Sequence, residues 1–357
     1  FLIKGADLGS FLSLSTFDLP KHGNKRGSKI RVAIPRPHKM QRTRYLLAAK
    51  LRPRRSTMYV PGINTKALAK IRATLPCDSF IIDLEDAVAS NAKLQARDTV
   101  QHFLSTTIDT PRTLHHRELM VRINALDTPW GLADLTMVSA SPSVDTIAIP
   151  KVETASDVWR VERHLEELTR NGTCNTTYSN DTTPFGLACM IETPLGVLNA
   201  AEIAAASTNV VCLIMGTSDL TNDLKAHHTT NREPMLTSLG MCVLAARAHG
   251  VAVLDGVHLN LSDMDEFAAH CEQGYNMGFD GKTLIHPKQI SKTNDTYGVN
   301  ENEINRARHI VTAFEAAERQ GEGVCVVDGQ LIENLHAEGA RRVLEFAKQI
   351  SIVEQSS

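Results

Sequence analysis

The hydrophobic pattern of the chain becomes regular from residue 56 onward. Eight short apolar runs alternate with amphipathic segments whose spacing is helical. Eight strands that alternate with helices predict a parallel (β/α)8 TIM barrel. The runs are 57–60, 80–83, 120–123, 146–150, 187–191, 211–215, 251–254 and 281–285, and the helical segments include 91–104, 155–170, 194–206, 235–249 and 263–277.

An open, doubly wound sheet is the main alternative for such a pattern. That architecture usually carries a glycine-rich G-x-G-x-x-G turn after its first strand. This chain has Tyr-Val-Pro-Gly at 59–62 instead. The barrel is therefore the favoured fold.

The chain continues after the eighth repeat into a segment that a barrel does not need. Its pattern predicts a helix near 301–319, a short strand-like run at 324–327 and a last helix near 337–350. We therefore divide the chain into a basic N-terminal segment at 1–52, a barrel domain at 53–290 and a C-terminal extension at 291–357. We expect the extension to cover part of the molecule.

Composition excludes several classes of protein. The chain has 42% hydrophobic and 22% charged residues and a net charge of −2, so the molecule as a whole is not an electrostatic match for nucleic acid or an anionic membrane. No apolar run is long enough to span a bilayer. Seven scattered cysteines without a CxxC pair favour reduced thiols in a reducing compartment.

Positive charge is concentrated near the beginning of the sequence. The segment 21–55 holds thirteen Lys or Arg residues and no Asp or Glu. Such a segment is typical of an organelle-targeting presequence, which predicts the mitochondrial matrix, although a disordered basic tail on a cytoplasmic protein has the same composition. A nucleic-acid-binding arm is less favoured because no recognised binding module follows it.

Carboxylates accumulate where the predicted strands end. In a TIM barrel the loops that follow the strands meet at one face, so these side chains should lie close together and need a cation. Oxygen ligands without clustered Cys or His favour Mg2+, or Mn2+, over zinc, and Glu192 and Asp219 on adjacent strands are the best direct pair. The strand-end residues are Asp83, Glu85, Asp86, Arg122, Lys151, Glu192, Asp219 and Asp255.

Several of the candidate residues also have a purely structural interpretation. Asp86 or Asp219 could cap the helix that follows it. Arg122 lies in an apolar strand and needs an anion, which is either a substrate carboxylate or a neighbouring Asp83 or Glu85. Lys66 and Lys70 lie four residues apart on the first helix, as a solvated face or as contacts for a phosphate-bearing substrate.

Eight short motifs carry a resemblance to a known family. They are RSTMYVPG (55–62), DLEDAV (83–88), VRINALDTPW (121–130), IPKVE (149–153), MIETPLGVLNAAEIAAAS (190–207), MGTSDL (215–220), LDGVHL (254–259) and GFDGKTLIHPKQI (278–290). Together they resemble the citrate lyase beta-subunit-like CoA-ester lyases of the HpcH/HpaI aldolase superfamily. The pattern is most similar to malyl-CoA, β-methylmalyl-CoA and citramalyl-CoA lyases.

The resemblance implies a Mg2+-bound TIM barrel, a homotrimer or homohexamer, that cleaves or forms a carbon–carbon bond in a β-hydroxyacyl-CoA. By position, Glu192 and Asp219 match the metal ligands, and Arg122 matches the residue that binds the carboxylate of the 2-oxo acid. The positions that match contacts to CoA or substrate are Tyr59, Lys66, Lys70, Ile285 and His286.

The resemblance also assigns a role to the C-terminal extension. In relatives a carboxylate there reaches a neighbouring active site as general acid or base, and the matching residue here is Glu333, where many members have Asp. Asp83, Glu85 and Asp86 would hold metal-bound water and Arg122 in place. The side chain of Glu333 is one methylene longer than that of Asp.

The expected reaction cleaves malyl-CoA or citramalyl-CoA to acetyl-CoA and glyoxylate or pyruvate. One alternative is hydrolysis of malyl-CoA by a thioesterase of the same family. Another is a CoA-independent 2-oxo-acid aldolase, although such enzymes have D-x-E-H where this chain has Asp-Leu-Glu-Asp at 83–86. A non-catalytic barrel subunit is disfavoured because Glu192, Asp219 and Arg122 are all present.

Overall fold

A computed structural model describes residues 52–73, 75–107, 117–174 and 185–355. The basic segment predicted to direct localisation lies almost entirely outside these residues, so that prediction and the boundary at 52 stay predictions. Each predicted apolar run overlaps one strand. The strands are β1 Ser56–Pro61, β2 Ser79–Asp83, β3 Glu118–Arg122, β4 Thr146–Ile149, β5 Gly186–Ile191, β6 Val210–Met215, β7 Ala252–Asp255 and β8 Gly281–Leu284.

The eight strands form one closed parallel barrel in sequence order. Closure is made by β1 and β8, which pair in register from Ser56 with Lys282 to Met58 with Leu284. A closed sheet leaves no strand edge unpaired. The predicted (β/α)8 TIM barrel is confirmed.

Helices surround the barrel, and most begin and end close to the predicted positions. The predicted helix at 194–206 is divided in two, because Asn199 leaves helical geometry and its Nδ2 donates a hydrogen bond to the Glu153 carbonyl at 2.8 Å. The helices are α1 Thr65–Ala73, α2 Lys93–Thr107, α3 Gly131–Ser139, α4 Ala155–Arg170, α5 Pro194–Leu198, α6 Ala200–Ala205, α7 Thr217–Asp223, α8 Leu236–His249, α9 Met264–Met277, α10 Ile290–Tyr297, α11 Glu301–Arg319 and α12 Asn334–Gln355.

The core has two layers because the strands are covered on both faces. Alternate side chains such as Ile81, Met120 and Leu254 fill the interior of the barrel. Their sequence neighbours, such as Ile82 and Val121, pack between the strands and the helices. Strands buried on both sides read as continuous apolar runs, which is why their ends were easy to locate in the sequence.

The C-terminal extension has a hydrophobic cluster of its own. Between helices α11 and α12 the chain forms a two-stranded hairpin, β9 Val324–Val327 and β10 Gln330–Glu333. The hairpin turns at Asp328 and Gly329, which both have positive φ, as a two-residue turn between twisted strands requires. Phe314, Ile332 and Ala337 are buried in this cluster. The predicted strand-like run is therefore one arm of a hairpin whose second arm was not predicted.

None of the described helices combines the length and the apolar character that crossing a membrane requires.

Candidate active site

Glu192 lies immediately after β5 and is the most deeply buried of the predicted ligands, with 1% of its surface exposed. Its Oε1 accepts a hydrogen bond from the Lys151 backbone N–H at 2.7 Å. Burial raises the pKa of Glu192 to about 7, and the nearby charges of Glu85 and Asp219 act in the same direction. A buried carboxylate of this kind is stabilised as the anion by a cation.

Gly216, at the end of β6, packs directly against Glu192. A Cβ at position 216 would lie 2.5 Å from Glu192 Oε2 and still closer to its Cβ, so no larger residue fits without moving the carboxylate. Helix α7 begins at the next residue and carries Asp219 in its first turn. The two predicted metal ligands therefore lie on adjacent strand ends that approach closely, and Gly216, whose packing role was not predicted, permits the approach.

Arg122, the last residue of β3, is bound on one edge by Asp83. Its Nε and Nη2 donate to Asp83 Oδ1 and Oδ2 at 2.7 and 2.5 Å, and its Nη1 lies 3.0 Å from Glu85 Oε2. The guanidinium also faces the Tyr59 ring, 5.2 Å from the centroid. The salt bridge that the sequence left open is present, and it fixes the guanidinium at the mouth of the barrel.

The acidic loop after β2 is held by its own backbone and by Lys93. Asp83 accepts hydrogen bonds from the N–H groups of Glu85 and Ala87 at 2.9 and 3.0 Å. The buried Lys93 ammonium donates to the carbonyls of Leu84 and Glu85 at 3.0 and 2.8 Å. This anchoring role of Lys93 was not predicted, because a lysine in an amphipathic helix ordinarily indicates a solvated face.

Lys151 bridges the acidic loop and Glu192. Its Nζ lies 2.8 Å from Glu85 Oε1 and 3.7 Å from Asp86 Oδ1, and its backbone has a left-handed φ of 50°. The ammonium pairs with the acids that the sequence grouped around it. The backbone contact to Glu192 was missed, since nothing in the sequence marks a lysine for a left-handed conformation.

The predicted CoA-binding residues lie beside this mouth with different exposures. Lys66 and Lys70 are exposed on α1, whose start is capped by Asn64 Oδ1, an acceptor for the Ala67 N–H at 3.0 Å. Tyr59 belongs to the barrel interior, and burial raises the pKa of its hydroxyl. The two lysines are free to meet a phosphate, whereas Tyr59 packs against Arg122.

Ile285 and His286, which follow β8, are held by a residue that the sequence did not indicate. The buried Gln289 side chain accepts hydrogen bonds from the N–H groups of both residues at 3.0 and 3.1 Å. Its Nε2 donates to the His258 carbonyl at 3.1 Å. Gln289 thus connects the loops after β7 and β8.

Two predicted acidic residues lie away from this group. Asp255 was expected at the mouth, but it is fully buried between the barrel and the helices, where Lys282 Nζ and Arg232 Nη1 approach it at 2.7 and 2.8 Å. Glu333 is exposed at the end of β10, and within the described part of the chain no hydrogen bond or ion pair joins it to Glu192 or Arg122. Its role at a neighbouring active site stays a prediction.

The donor set at the mouth fits a hard divalent cation such as Mg2+. Across the described ranges, no group of three or more His, Cys, Asp or Glu side chains is arranged to hold a metal ion. Magnesium is commonly bound by only one or two carboxylates, with water and substrate completing its coordination. Glu192 and Asp219 would hold it, and a bound cation would offset the burial that raises the pKa of Glu192.

Comparison with known proteins identifies the family. The family model described as HpcH/HpaI aldolase/citrate lyase matches residues 55–287. The (3S)-malyl-CoA thioesterase of Cereibacter sphaeroides strain KD131 is 42% identical over 310 residues, which cover 87% of this chain and 100% of that protein. Citrate lyase subunit beta of Leuconostoc mesenteroides subsp. cremoris is 36% identical over 304 residues, or 85% and 96% of the two chains.

A solved structure shows the same arrangement of the chain. The protein CitE from Mycobacterium tuberculosis, in complex with magnesium, acetoacetate and coenzyme A, is 26% identical and superposes with a TM-score of 0.61 over 83% of this chain and 98% of its own. The expected resemblance is confirmed: this chain belongs to the HpcH/HpaI aldolase/citrate lyase family.

Proposed function

We propose that this protein is a Mg2+-dependent carbon–carbon lyase that cleaves a malyl-type CoA thioester to acetyl-CoA and a 2-oxo acid. The observation that supports it is the buried Glu192, fixed by the Lys151 N–H at 2.7 Å and packed against the glycine turn that leads to Asp219. A bound Mg2+ would act as a Lewis acid and template for the hydroxyl and carboxylate of the substrate.

The reaction breaks the bond between the hydroxyl-bearing carbon and the methylene carbon next to the thioester. The hydroxyl loses its proton and becomes the carbonyl of glyoxylate or pyruvate. The electron pair of the broken bond forms a thioester enolate, which takes a proton on carbon to give acetyl-CoA. The protein must therefore orient the hydroxy acid, stabilise the enolate oxygen and move one proton.

The charged residues at the mouth match these requirements. Arg122 is held rigidly by Asp83 and places a fixed positive charge beside Glu192, where it can orient the substrate carboxylate. The ammonium of Lys151, with 44% of its side chain exposed, would supply a positive charge for the enolate oxygen. Lys66 and Lys70 are exposed on α1 and suit the phosphates of CoA. Glu333 of a neighbouring subunit would move the proton.

The relatives support the substrate class. One acts on malyl-CoA, one is part of a lyase that acts on citrate, another β-hydroxy acid, and one binds magnesium, a small oxo acid and coenzyme A. A β-hydroxyacyl-CoA contains both the hydroxy acid and the coenzyme A that the names of these relatives mention. Mn2+ is a second candidate for the same oxygen ligands.

Hydrolysis of the thioester is the second candidate function, and the 42% identity to a malyl-CoA thioesterase favours it specifically. The same site would bind the same substrate, but water would attack the thioester carbonyl. Free CoA and malate would then replace acetyl-CoA and glyoxylate. The products, rather than the substrate, distinguish the two reactions.

The test is a product analysis with malyl-CoA and citramalyl-CoA, with Mg2+ and with excess EDTA. Acetyl-CoA and the 2-oxo acid should appear in equal amounts only when the metal is present. The Glu192→Gln variant, measured under identical conditions, should lose this activity.

Free CoA together with intact malate would show that the protein is a thioesterase and not a lyase. Cleavage that continues at full rate in EDTA would contradict the metal-dependent mechanism. Turnover of a free 2-oxo-acid aldol adduct, but of neither thioester, would indicate the CoA-independent aldolase.

A further inference from the structure

Lys151 combines three features that ordinary surface lysines lack. It is one of four non-glycine residues with a positive φ among the described residues, and it lies two residues after β4 at the mouth of the barrel. Its N–H is directed at a buried carboxylate, and its ammonium forms an ion pair with a different loop. A left-handed conformation is costly for a residue with a Cβ, by about 1 kcal/mol or more.

The left-handed backbone explains how one residue reaches two partners. Glu192 follows β5, whereas Glu85 and Asp86 follow β2, on the other side of β4. Lys151 binds the first through its N–H at 2.7 Å and the second group through its Nζ at 2.8 and 3.7 Å. Both contacts are therefore made from one and the same left-handed backbone conformation.

The N–H bond fixes the rotation of the Glu192 carboxylate. Oε1 is bound by Lys151, so Oε2 is directed to the side where Gly216 begins the turn to Asp219. A carboxylate free to rotate would lose this alignment. Residues that orient a metal ligand in this way commonly change metal affinity by about 10- to 100-fold when they are replaced.

We propose that Lys151 is a positioning residue for the metal ligand Glu192, and that its ion pair with Glu85 and Asp86 holds the left-handed backbone in place. The inference rests on the proposed metal site, and it adds a residue that orients a ligand without binding the metal itself. It also gives the acidic loop a second role, because Glu85 then acts on Glu192 through Lys151.

The test measures Mg2+ affinity by isothermal titration in metal-stripped protein without substrate. Lys151→Met keeps the length of the side chain and removes its charge, and it should weaken Mg2+ binding by about 10-fold. Lys151→Arg keeps the charge and should restore most of the affinity. Hydrogen exchange of the segment around residue 151 in EDTA should be faster in Lys151→Met, because the N–H is then less firmly held by Glu192.

Lys225 provides the matched control. It is also a lysine with a left-handed φ, of 52°, but it is exposed after α7. Lys225→Met should leave both the Mg2+ affinity and the exchange at residue 151 unchanged. Thermal unfolding of each variant reports whether the fold is retained.

Two results would overturn this inference and leave the proposed metal site standing. They are an unchanged Mg2+ affinity in Lys151→Met, or a loss of Mg2+ affinity in Lys225→Met equal to that in Lys151→Met. If the unmodified protein bound no Mg2+ at all, the proposed metal site and this inference would fail together. The exchange measurement needs no metal, so an unchanged rate around residue 151 in Lys151→Met would also contradict the role of the ion pair.

Discussion

The contact between Gly216 and Glu192 makes the site sensitive to a single methyl group. Gly216→Ala would place its Cβ within 2.5 Å of Glu192 Oε2, so the carboxylate must move. We expect Mg2+ affinity and turnover to fall by about 10-fold or more, since a displaced ligand loses its alignment. Titration calorimetry and the product assay measure both effects.

Gly240→Ala is the control for this prediction. Gly240 lies within α8, and a Cβ there meets nothing within 4 Å. The substitution should stabilise the helix by about 0.5–1 kcal/mol and leave Mg2+ binding unchanged. An equal loss of Mg2+ affinity in the two variants would contradict the packing argument.

The pairing of Arg122 with Asp83 should contribute strongly to stability. Both side chains are at least nine-tenths buried and joined by two hydrogen bonds. Asp83→Asn would leave the guanidinium without its bidentate anion, and the free energy of unfolding should fall by about 3 kcal/mol. Urea denaturation monitored by circular dichroism measures it.

Asp127→Asn tests whether any ion pair would give the same result. Asp127 pairs with Arg160 on the surface, where solvent screens the charges. Its replacement should have no measurable effect on unfolding. A similarly small effect for Asp83→Asn would show that Glu85 alone holds Arg122.

Residue identities at the site were predictable where strand ends determined them. Glu192, Asp219 and Arg122 follow apolar runs whose ends are clear, so their meeting at one face followed from the barrel. Asp255 was misplaced because side chains alternate along a strand: like Val253, it faces the outer helices. The contributions of Gly216, Lys151 and Gln289 depend on backbone geometry and long-range contacts that no local pattern records.

At the scale of elements, a histidine pair joins the loop after β7 to α9. His258 Nδ1 and His270 Nδ1 lie 3.1 Å apart, and His270 Nε2 lies 2.8 Å from the Thr230 carbonyl. Burial lowers the pKa of both rings. Lys282 and Arg232 disfavour a positive charge nearby, whereas Glu266, 3.8 Å from His258 Nε2, favours one.

The pair should make stability depend on pH. Unfolded histidines bind a proton below about pH 6.5, whereas the folded pair resists it, so the unfolded state binds more protons and stability falls as the pH falls. We expect the contribution of the pair, measured as the difference in unfolding free energy between the unmodified protein and His258→Asn, to be flat above about pH 7 and to decrease toward pH 5.5. Glu192, whose pKa is raised to about 7, acts in the opposite direction in both proteins. Any decrease in the unfolding free energy should therefore be smaller in His258→Asn.

His228→Asn is the control, because His228 lies exposed in the loop after α7. Its profile of unfolding free energy against pH should match that of the unmodified protein. If His258→Asn kept the full decrease between pH 7 and 5.5, the buried pair would not be its cause.

Element types were easier to predict than their interruptions. The strands and long helices follow from periodicity. Helices α4 and α11 begin and end at the predicted residues, and a capping box defines the start of each. The break at Asn199 was not predictable, since it depends on a hydrogen bond to Glu153 in another loop. The second arm of the hairpin was missed because Gln330–Glu333 is short and only Ile332 is buried.

At the scale of the whole molecule, the predicted role of Glu333 would require active sites that are shared between subunits. Glu333→Gln should lower turnover by about 100-fold or more while substrate binding stays nearly normal, as expected for loss of a general acid or base. Mixing it with Glu192→Gln under conditions of subunit exchange should restore part of the activity, because some sites then combine an intact Glu192 with an intact Glu333. The product assay measures the recovery.

Each variant incubated alone is the control for the mixture. If a mixed oligomer showed no recovery, Glu333 would act at the active site of its own subunit or would have no role in the reaction. Full activity of Glu333→Gln alone would remove it from the mechanism. Light scattering determines whether the protein is the expected trimer or hexamer.

The seam between β1 and β8 has a consequence for synthesis on the ribosome. Strand β1 emerges early, but its second partner ends at Leu284, so one side of β1 has no neighbour until most of the chain has been made. Unpaired strands attract other chains. A nascent chain stalled before that point should aggregate or bind chaperones, and release from them should coincide with translation of the eighth strand.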